Sequence, residues 1–186
     1  MKAKHLILLI FTMANLIEVH SQTIPSPKKI LIAYFSHSGN TRLMAQQIKD
    51  ATGGSLYEIQ ALKNYPTDYQ TVVDQAKKEI NANYKPALKT KIQNIESFDV
   101  IFIGSPNWWS TIAPPVATFL SDYNLKGKTI VPFMTHGGGG MGRSVSEIKK
   151  LCPQSTVLEG LPINGRMVRR SEENVTNWLR DIKMIK

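Results

Sequence analysis

The chain has 186 residues, 42% of them hydrophobic and 20% charged, which is typical of a globular protein and excludes a disordered or fibrous one. This length suffices for one domain with a sizeable core and is too short for two ordinary domains. The formal net charge of +9 favours acidic partners or anionic ligands, whereas the lack of long like-charge runs argues against nucleic acid as a partner.

The first residues of the chain have the pattern of a secretory signal peptide. Lys2 and Lys4 precede an apolar run at residues 6–17, and Val19 and Ser21 stand three residues and one residue before the expected cleavage point. An uncleaved membrane anchor is the alternative, but the run is shorter than the roughly 20 residues that a helix needs to span a bilayer. We therefore expect an exported, periplasmic protein with no stable membrane insertion after cleavage.

The expected cleavage divides the chain into three segments. Residues 1–21 are the signal peptide, and residues 22–27 are a flexible lead-in because Pro25 and Pro27 interrupt regular structure. Residues 28–186 then form a single domain. The whole chain has one cysteine, so no intramolecular disulfide can form.

Within the domain, apolar runs typical of strands alternate with amphipathic patterns typical of helices. Strands are predicted at 30–35, 56–59, 98–103, 129–134 and 156–163. Each is followed by a predicted helix, and Thr67, Ser144 and Ser171 are the expected caps of the second, fourth and fifth helices. This alternation predicts an α/β protein, a parallel sheet with helices on both faces. Such sheets bind ligands beyond the carboxyl ends of their strands, so the loops after strands one, three and four are the candidate sites.

The loop after the first strand reads Ser36-His37-Ser38-Gly39-Asn40-Thr41. Its hydroxyl groups, and amides pointing into a turn at the start of a helix, indicate a phosphate-binding loop. The loop lacks the lysine of a nucleoside triphosphate-binding loop, so ATP or GTP with magnesium is not expected. A polar helix cap without a ligand is the alternative.

The loop after the third strand contains Pro106, Asn107, Trp108 and Trp109. Two adjacent tryptophans cannot both be buried easily, and a flat aromatic ligand would explain at least one of them. The alternative is that one packs on the core and the other on a partner.

The loop after the fourth strand contains His136, Gly137, Gly138, Gly139 and Gly140. Consecutive glycines allow backbone amides to approach a planar ligand closely, although a disordered glycine loop would have the same sequence. The loop happens to match a dinucleotide-binding pattern, but that pattern belongs after the first strand of its unit, so we reject this interpretation. His136 is either a proton donor beside the ligand or an ordinary loop residue.

The segments SHSGNT, SPNWW and THGGGG together resemble the flavodoxin family, specifically its small single-domain branch, over residues 28–182. The resemblance implies a flavodoxin-like three-layer α/β/α sandwich with a five-stranded parallel sheet in the order 2-1-3-4-5. It also implies that Ser36 to Thr41 hold the phosphate of flavin mononucleotide (FMN). The flavin ring would lie between the Asn107–Trp109 loop and the His136–Gly140 loop.

Three functions remain open at this point. The first is an exported FMN protein that mediates electron transfer to a redox partner protein, with no amino acid acting as a catalytic base or nucleophile. The second is an FMN-dependent reductase of small quinones or nitro compounds that takes electrons from NAD(P)H. The third is a flavin-free module of the same fold that binds an anionic small molecule. No histidine or cysteine spacing indicates a metal site.

The charge of the chain departs from that of the acidic electron carriers of the family. Arg42 and Arg143 flank two of the three loops, and Arg166 follows the last predicted strand. Positive charge near a flavin would make its reduction potential less negative than in an acidic flavodoxin. Cys152 falls on the apolar face of its helix, where a buried structural thiol is expected.

Overall fold

A computed structural model describes residues 28–186, so the expected signal peptide at 1–21 and lead-in at 22–27 lie outside the described residues. The described strands all run parallel in one sheet of order β2-β1-β3-β4-β5, with β6 also paired to β4. Their bounds are β1 (Ile30–Tyr34), β2 (Ser55–Glu58), β3 (Val100–Pro106), β4 (Thr129–His136), β5 (Thr156–Val157) and β6 (Leu161–Asn164). The predicted fold class and strand order are confirmed.

The central strands are apolar on both faces because helices cover both faces of the sheet. In β1, Leu31 and Ala33 point into one hydrophobic core, and Ile32 and Tyr34 point into the other. This explains why β1, β3 and β4 read as continuous apolar runs in the sequence.

Five α-helices form the outer layers around the described sheet. They are α1 (Asn40–Thr52), α2 (Tyr69–Asn81), α3 (Pro114–Asp122), α4 (Ser144–Leu151) and α5 (Glu172–Asp181). Helices α1 and α5 supply the core that contains Ile32, whereas α3 and α4 supply the core that contains Leu31, and α2 lies beside α3. Among residues 28–186, none of the helices combines the length and apolar character needed to cross a bilayer.

The fifth predicted strand, 156–163, is divided in the structure. Strand β5 contains only Thr156 and Val157, and β6 begins at Leu161. The interruption includes Glu159, whose carbonyl accepts a hydrogen bond from the Trp178 indole nitrogen at 3.2 Å. The prediction of one continuous strand is therefore wrong, although both pieces pair with β4 at the same edge of the sheet.

Two of the three predicted helix caps are also wrong. Helix α2 begins after Asp68, whose carboxylate accepts a hydrogen bond from the Thr71 amide at 2.9 Å, so Thr67 is not the cap. Ser144 is the first residue of α4 rather than its cap, and its buried hydroxyl has no partner among the described residues.

Ser171 occupies the predicted cap position of α5, but its hydroxyl does not bond to that helix. It donates instead to the side-chain oxygen of Gln47 in α1 or to the carbonyl of Val168, at 3.0 and 2.9 Å. Ser171 therefore ties α5 to α1 through its side chain while its backbone begins the helix.

Candidate functional site

The loops that follow β1, β3 and β4 meet at one edge of the sheet, as the parallel topology requires. They surround a cavity of about 670 Å³, within the range of ordinary ligand pockets. Nine of the fifteen residues expected to bind a cofactor line it: His37, Ser38, Asn40, Pro106, Asn107, Trp108, Trp109, His136 and Gly137. The other six, Ser36, Gly39, Thr41, Gly138, Gly139 and Gly140, belong to the same loops but do not line the cavity.

The loop after β1 contains a glycine in a left-handed conformation and a buried hydroxyl without a partner. Gly39 precedes helix α1 with φ of 90°, a left-handed conformation that favours glycine. The Ser36 hydroxyl is buried and has no hydrogen-bond partner within residues 28–186. The Thr41 hydroxyl, by contrast, lies 2.9 Å from the hydroxyl of Thr135 in β4 and is buried. Thr41 thus holds the loop against β4, whereas the Ser36 hydroxyl has no partner among the described residues.

The ring of His37 is fixed by the protein rather than directed at a ligand. Its Nε2–H donates to the carbonyl of Pro66 at 2.8 Å. The ring also packs edge-on to Trp108, with 5.8 Å between ring centroids. Since this residue lines the cavity, the part of it that remains free to bind an anion is its backbone amide.

The two tryptophans have different surroundings. Trp108 is half-buried and packs edge-on against Phe35 and Tyr65, with ring centroids 5.4 and 5.0 Å away. Trp109 is 45% exposed, and its indole nitrogen donates to the carbonyl of Val73 in α2 at 3.0 Å. One tryptophan therefore packs on the core, and the other packs on α2 of the same chain.

The loop after β4 is tied to the loop after β3. The side-chain amide of Asn107 donates to the carbonyl of Gly140 at 2.7 Å. Gly142 has φ of 51°, and a Cβ there would lie 2.4 Å from the carbonyl oxygen of Ser110, so the close approach of the loops requires glycine. His136 Nδ1 is buried without a partner among residues 28–186, which leaves it available to a ligand.

A fourth loop completes the cavity. Asn164 ends β6, Gly165 and Arg166 follow it, and all three line the cavity. The amide of Gly165 donates to the carbonyl of His136 at 2.9 Å. Gly160 lies in the break between β5 and β6 and is the signal for it in the sequence, whereas Pro162 lies within β6.

Helix α2 provides a wall that the sequence analysis did not anticipate. Tyr69, Val72, Val73 and Ala76 line the cavity on this side, and Tyr69 is 78% exposed. The helical pattern predicted which α2 residues share a face, but nothing in it indicated that this face also borders the ligand cavity. The wall is apolar and aromatic, unlike the polar loop after β1. Thr135, Asn164 and Gly165 also line the cavity and were not assigned by the sequence analysis.

The structure changes the expected role of two arginines. Arg42 forms an ion pair with Glu58, and the hydrogen bond to this carboxylate raises the pKa of the guanidinium. Arg143, which flanks the loop after β4, lines a separate cavity of about 290 Å³ between α2, α3 and α4 and does not line the larger one. Arg166 lines the larger cavity, where it is the one arginine or lysine among the lining residues of the described range 28–186.

Two tyrosines have raised pKa values: Tyr65, which packs against Trp108, and Tyr34 in β1. Burial is the main cause that raises the pKa of Tyr65, followed by its hydrogen bond to the carboxylate of Glu79. Burial likewise raises the pKa of Tyr34, with a smaller contribution from the nearby Glu58 carboxylate. Neither group provides a proton near neutral pH, so their role here is packing.

The cavity suits a ligand with an anionic end and a flat end. Amides of the loop after β1, the unpartnered Ser36 hydroxyl and the Arg166 charge favour a phosphate. Among residues 28–186, no carboxylate lines the cavity. The residues of the other two loops and of α2 offer aromatic and backbone surfaces. No group of histidine, cysteine, aspartate or glutamate residues within 28–186 has the arrangement of a metal site.

Comparison with known proteins agrees with these features. A family model described as flavodoxin matches residues 29–182. A presumed flavoprotein from Bacteroides eggerthii is 37% identical, with a TM-score of 0.75, over 86% of this chain and 99% of that chain. A second from Bacteroides uniformis is 30% identical, with a TM-score of 0.74, over 82% and 98%.

A third similar structure contains a ligand. The flavoprotein from Lactobacillus acidophilus in complex with FMN is 27% identical to this chain, with a TM-score of 0.66. The match covers 77% of this chain and 97% of that chain. No curated protein matches this chain.

Proposed function

This chain belongs to the flavodoxin family, and from that premise we propose that it binds FMN noncovalently and takes part in electron transfer. The observation that carries the proposal is the Ser36 hydroxyl, which is buried without a partner in the loop before α1. A buried hydroxyl in this position is costly unless a ligand accepts a hydrogen bond from it, and a phosphate at the start of a helix can do so. The FMN complex of the Lactobacillus acidophilus protein supports the choice of ligand.

The residues of the cavity would divide the binding of FMN among them. The amides of the loop after β1, with Ser36 and Ser38, would hold the phosphate by charge-assisted hydrogen bonds. Trp108 and Trp109 line the part of the cavity that suits the ring, and Gly137 leaves space for its polar edge. Bound FMN supplies the redox chemistry, and the chain supplies binding, orientation and shielding from water.

The absorption spectrum of the purified chain tests this proposal. We expect a flavin band, or its appearance when FMN is added to protein that has been stripped of ligand. A protein that is colourless and does not alter FMN fluorescence in a titration would contradict the proposal and would favour a flavin-free module that binds another anion.

A second candidate function, reduction of small quinones or nitro compounds, is favoured by the α2 wall. Tyr69, Val73 and Ala76 add an apolar surface beside the exposed Trp109, and such a surface suits a flat organic acceptor better than a docked protein. Oxidation of NAD(P)H that depends on both FMN and an added quinone would support this function. Lack of NAD(P)H oxidation both with and without the quinone would favour the electron carrier.

Export of the protein is a further part of the proposal. The apolar run at 6–17 and the small residue Ser21 support cleavage of a signal peptide and a periplasmic location. Mass spectrometry of the protein from its native host should find a chain that begins near Gln22. A soluble chain that retains Met1 would contradict export.

A further inference from the structure

Arg166 brings a positive charge to the cavity from outside the loop after β1, here called the phosphate loop, and outside the loops after β3 and β4. It lines the cavity together with Ser38 and Asn40, and it does so from the loop after β6. This loop touches the phosphate loop directly, because a Cβ built on Gly165 would lie 2.7 Å from the side-chain nitrogen of Asn40. The backbone that carries Arg166 is therefore adjacent to the phosphate loop, and residues of both segments line the same cavity.

The backbone around Arg166 is held in place by three hydrogen bonds. Gly165 donates to the carbonyl of His136 at 2.9 Å, and Arg166 donates its amide to the side-chain oxygen of Asn164 at 3.0 Å. Met167 closes the turn by donating to the carbonyl of Asn164 at 2.8 Å. These bonds fix the backbone from which the exposed Arg166 side chain extends.

The charge of Arg166 is not neutralised within the described chain. The two ion pairs among residues 28–186 join Arg42 to Glu58 and Lys91 to Asp122. Arg42, the arginine nearest in sequence to the phosphate loop, is thus already paired. A phosphate monoester carries about −1.5 to −2 charges at neutral pH, and backbone amides supply only partial positive charge.

We propose that Arg166 is a phosphate-binding residue and that the turn at residues 164–166 forms part of the phosphate site together with the loop after β1. The proposal rests on the proposed binding of FMN and identifies the cation that selects a phosphorylated flavin over riboflavin. Arginine suits this role because its guanidinium group can give two parallel hydrogen bonds to phosphate oxygens.

Titrations of the ligand-free chain with FMN and with riboflavin test the proposal. Arg166→Gln should weaken FMN binding by about 10- to 100-fold, the range expected for loss of a charge-assisted hydrogen bond, and should leave riboflavin binding unchanged. Arg166→Lys should keep part of the affinity because the charge remains. Added salt should weaken FMN binding more in the original chain than in Arg166→Gln.

Arg169→Gln and Arg170→Gln are matched controls, since both arginines are exposed, close in sequence and absent from the cavity lining. Equal loss of FMN affinity in all three variants would show that only the general basic charge matters and would overturn the proposal. Equal loss for FMN and riboflavin in Arg166→Gln would also overturn it, because the residue would then act on the ring or on the loop. Failure of the original chain to bind FMN would instead contradict the proposed function.

Discussion

Replacing Ser36 with alanine should change the stability of the chain and its affinity for FMN in opposite directions. The Ser36 hydroxyl is buried and has no partner among residues 28–186, and an unsatisfied buried polar group costs about 1–3 kcal/mol. Ser36→Ala removes this cost, so the free energy of unfolding of the ligand-free chain should rise by about 1 kcal/mol. For a chain of this length the melting temperature should increase by roughly 2–4 °C.

The same variant should bind FMN less tightly. Loss of a hydrogen bond to a charged phosphate costs about 1.5–3 kcal/mol, which weakens binding by roughly 10- to 150-fold. Riboflavin lacks the phosphate, so its affinity should not change. Thermal unfolding of the ligand-free protein and fluorescence titration with both flavins provide the two measurements.

Variants of two neighbouring residues are controls for the opposite effects of Ser36→Ala on stability and on FMN affinity. Ser38→Ala removes an exposed hydroxyl and should leave the stability of the ligand-free chain unchanged. Thr41→Ala leaves the buried hydroxyl of Thr135 without its partner and should lower stability by about 1–3 kcal/mol. If Ser36→Ala lowered stability and left FMN affinity unchanged, Ser36 would be a structural residue and the reasoning would be refuted.

Three further predictions follow from packing and titration. Gly104→Ala should lower the free energy of unfolding by about 1–3 kcal/mol in denaturant titrations, because its Cβ would lie 2.2 Å from a ring carbon of Phe133, and Phe133→Leu should recover part of the loss. Burial raises the pKa of the Cys152 thiol to about 11, so a thiol reagent at mildly alkaline pH should modify the protein only after denaturant is added. Hydrogen bonds from Thr71 lower the pKa of Asp68 below its ordinary value of 3.8. The original chain should therefore be more stable than Asp68→Ala near neutral pH, and this difference should disappear as the pH falls through the pKa of Asp68 in the folded protein. A constant difference in melting temperature across this pH range would contradict the prediction.

The sequence predicted those parts of the fold in which one physical requirement dominates. Strands β1, β3 and β4 are covered on both faces, and this burial requires the continuous apolar runs by which they were recognised. Their parallel order then brings the three ligand loops together. The helix caps were less predictable, because Thr67 and Asp68 can both cap a helix and the local backbone conformation selects Asp68.

The features of the site that were missed depend on contacts between distant parts of the chain. The hydrogen bond from Trp109 to the carbonyl of Val73 brings α2 to the cavity, and no local pattern around either residue indicates it. The pairing of Arg42 with Glu58 follows from the adjacency of β1 and β2, where Tyr34 lies opposite Glu58. That contact can be predicted only once the strand register is known.

Discrimination between FMN and riboflavin by the purified, ligand-free chain tests the central claim most directly. The two ligands share the flavin ring and differ by the phosphate that the loop from Ser36 to Thr41 is proposed to hold. Several charge-assisted hydrogen bonds of about 1.5–3 kcal/mol each predict that FMN binds at least about 100-fold more tightly than riboflavin in a fluorescence titration. Equal affinities for the two ligands would show that this loop does not bind the phosphate and would contradict the account.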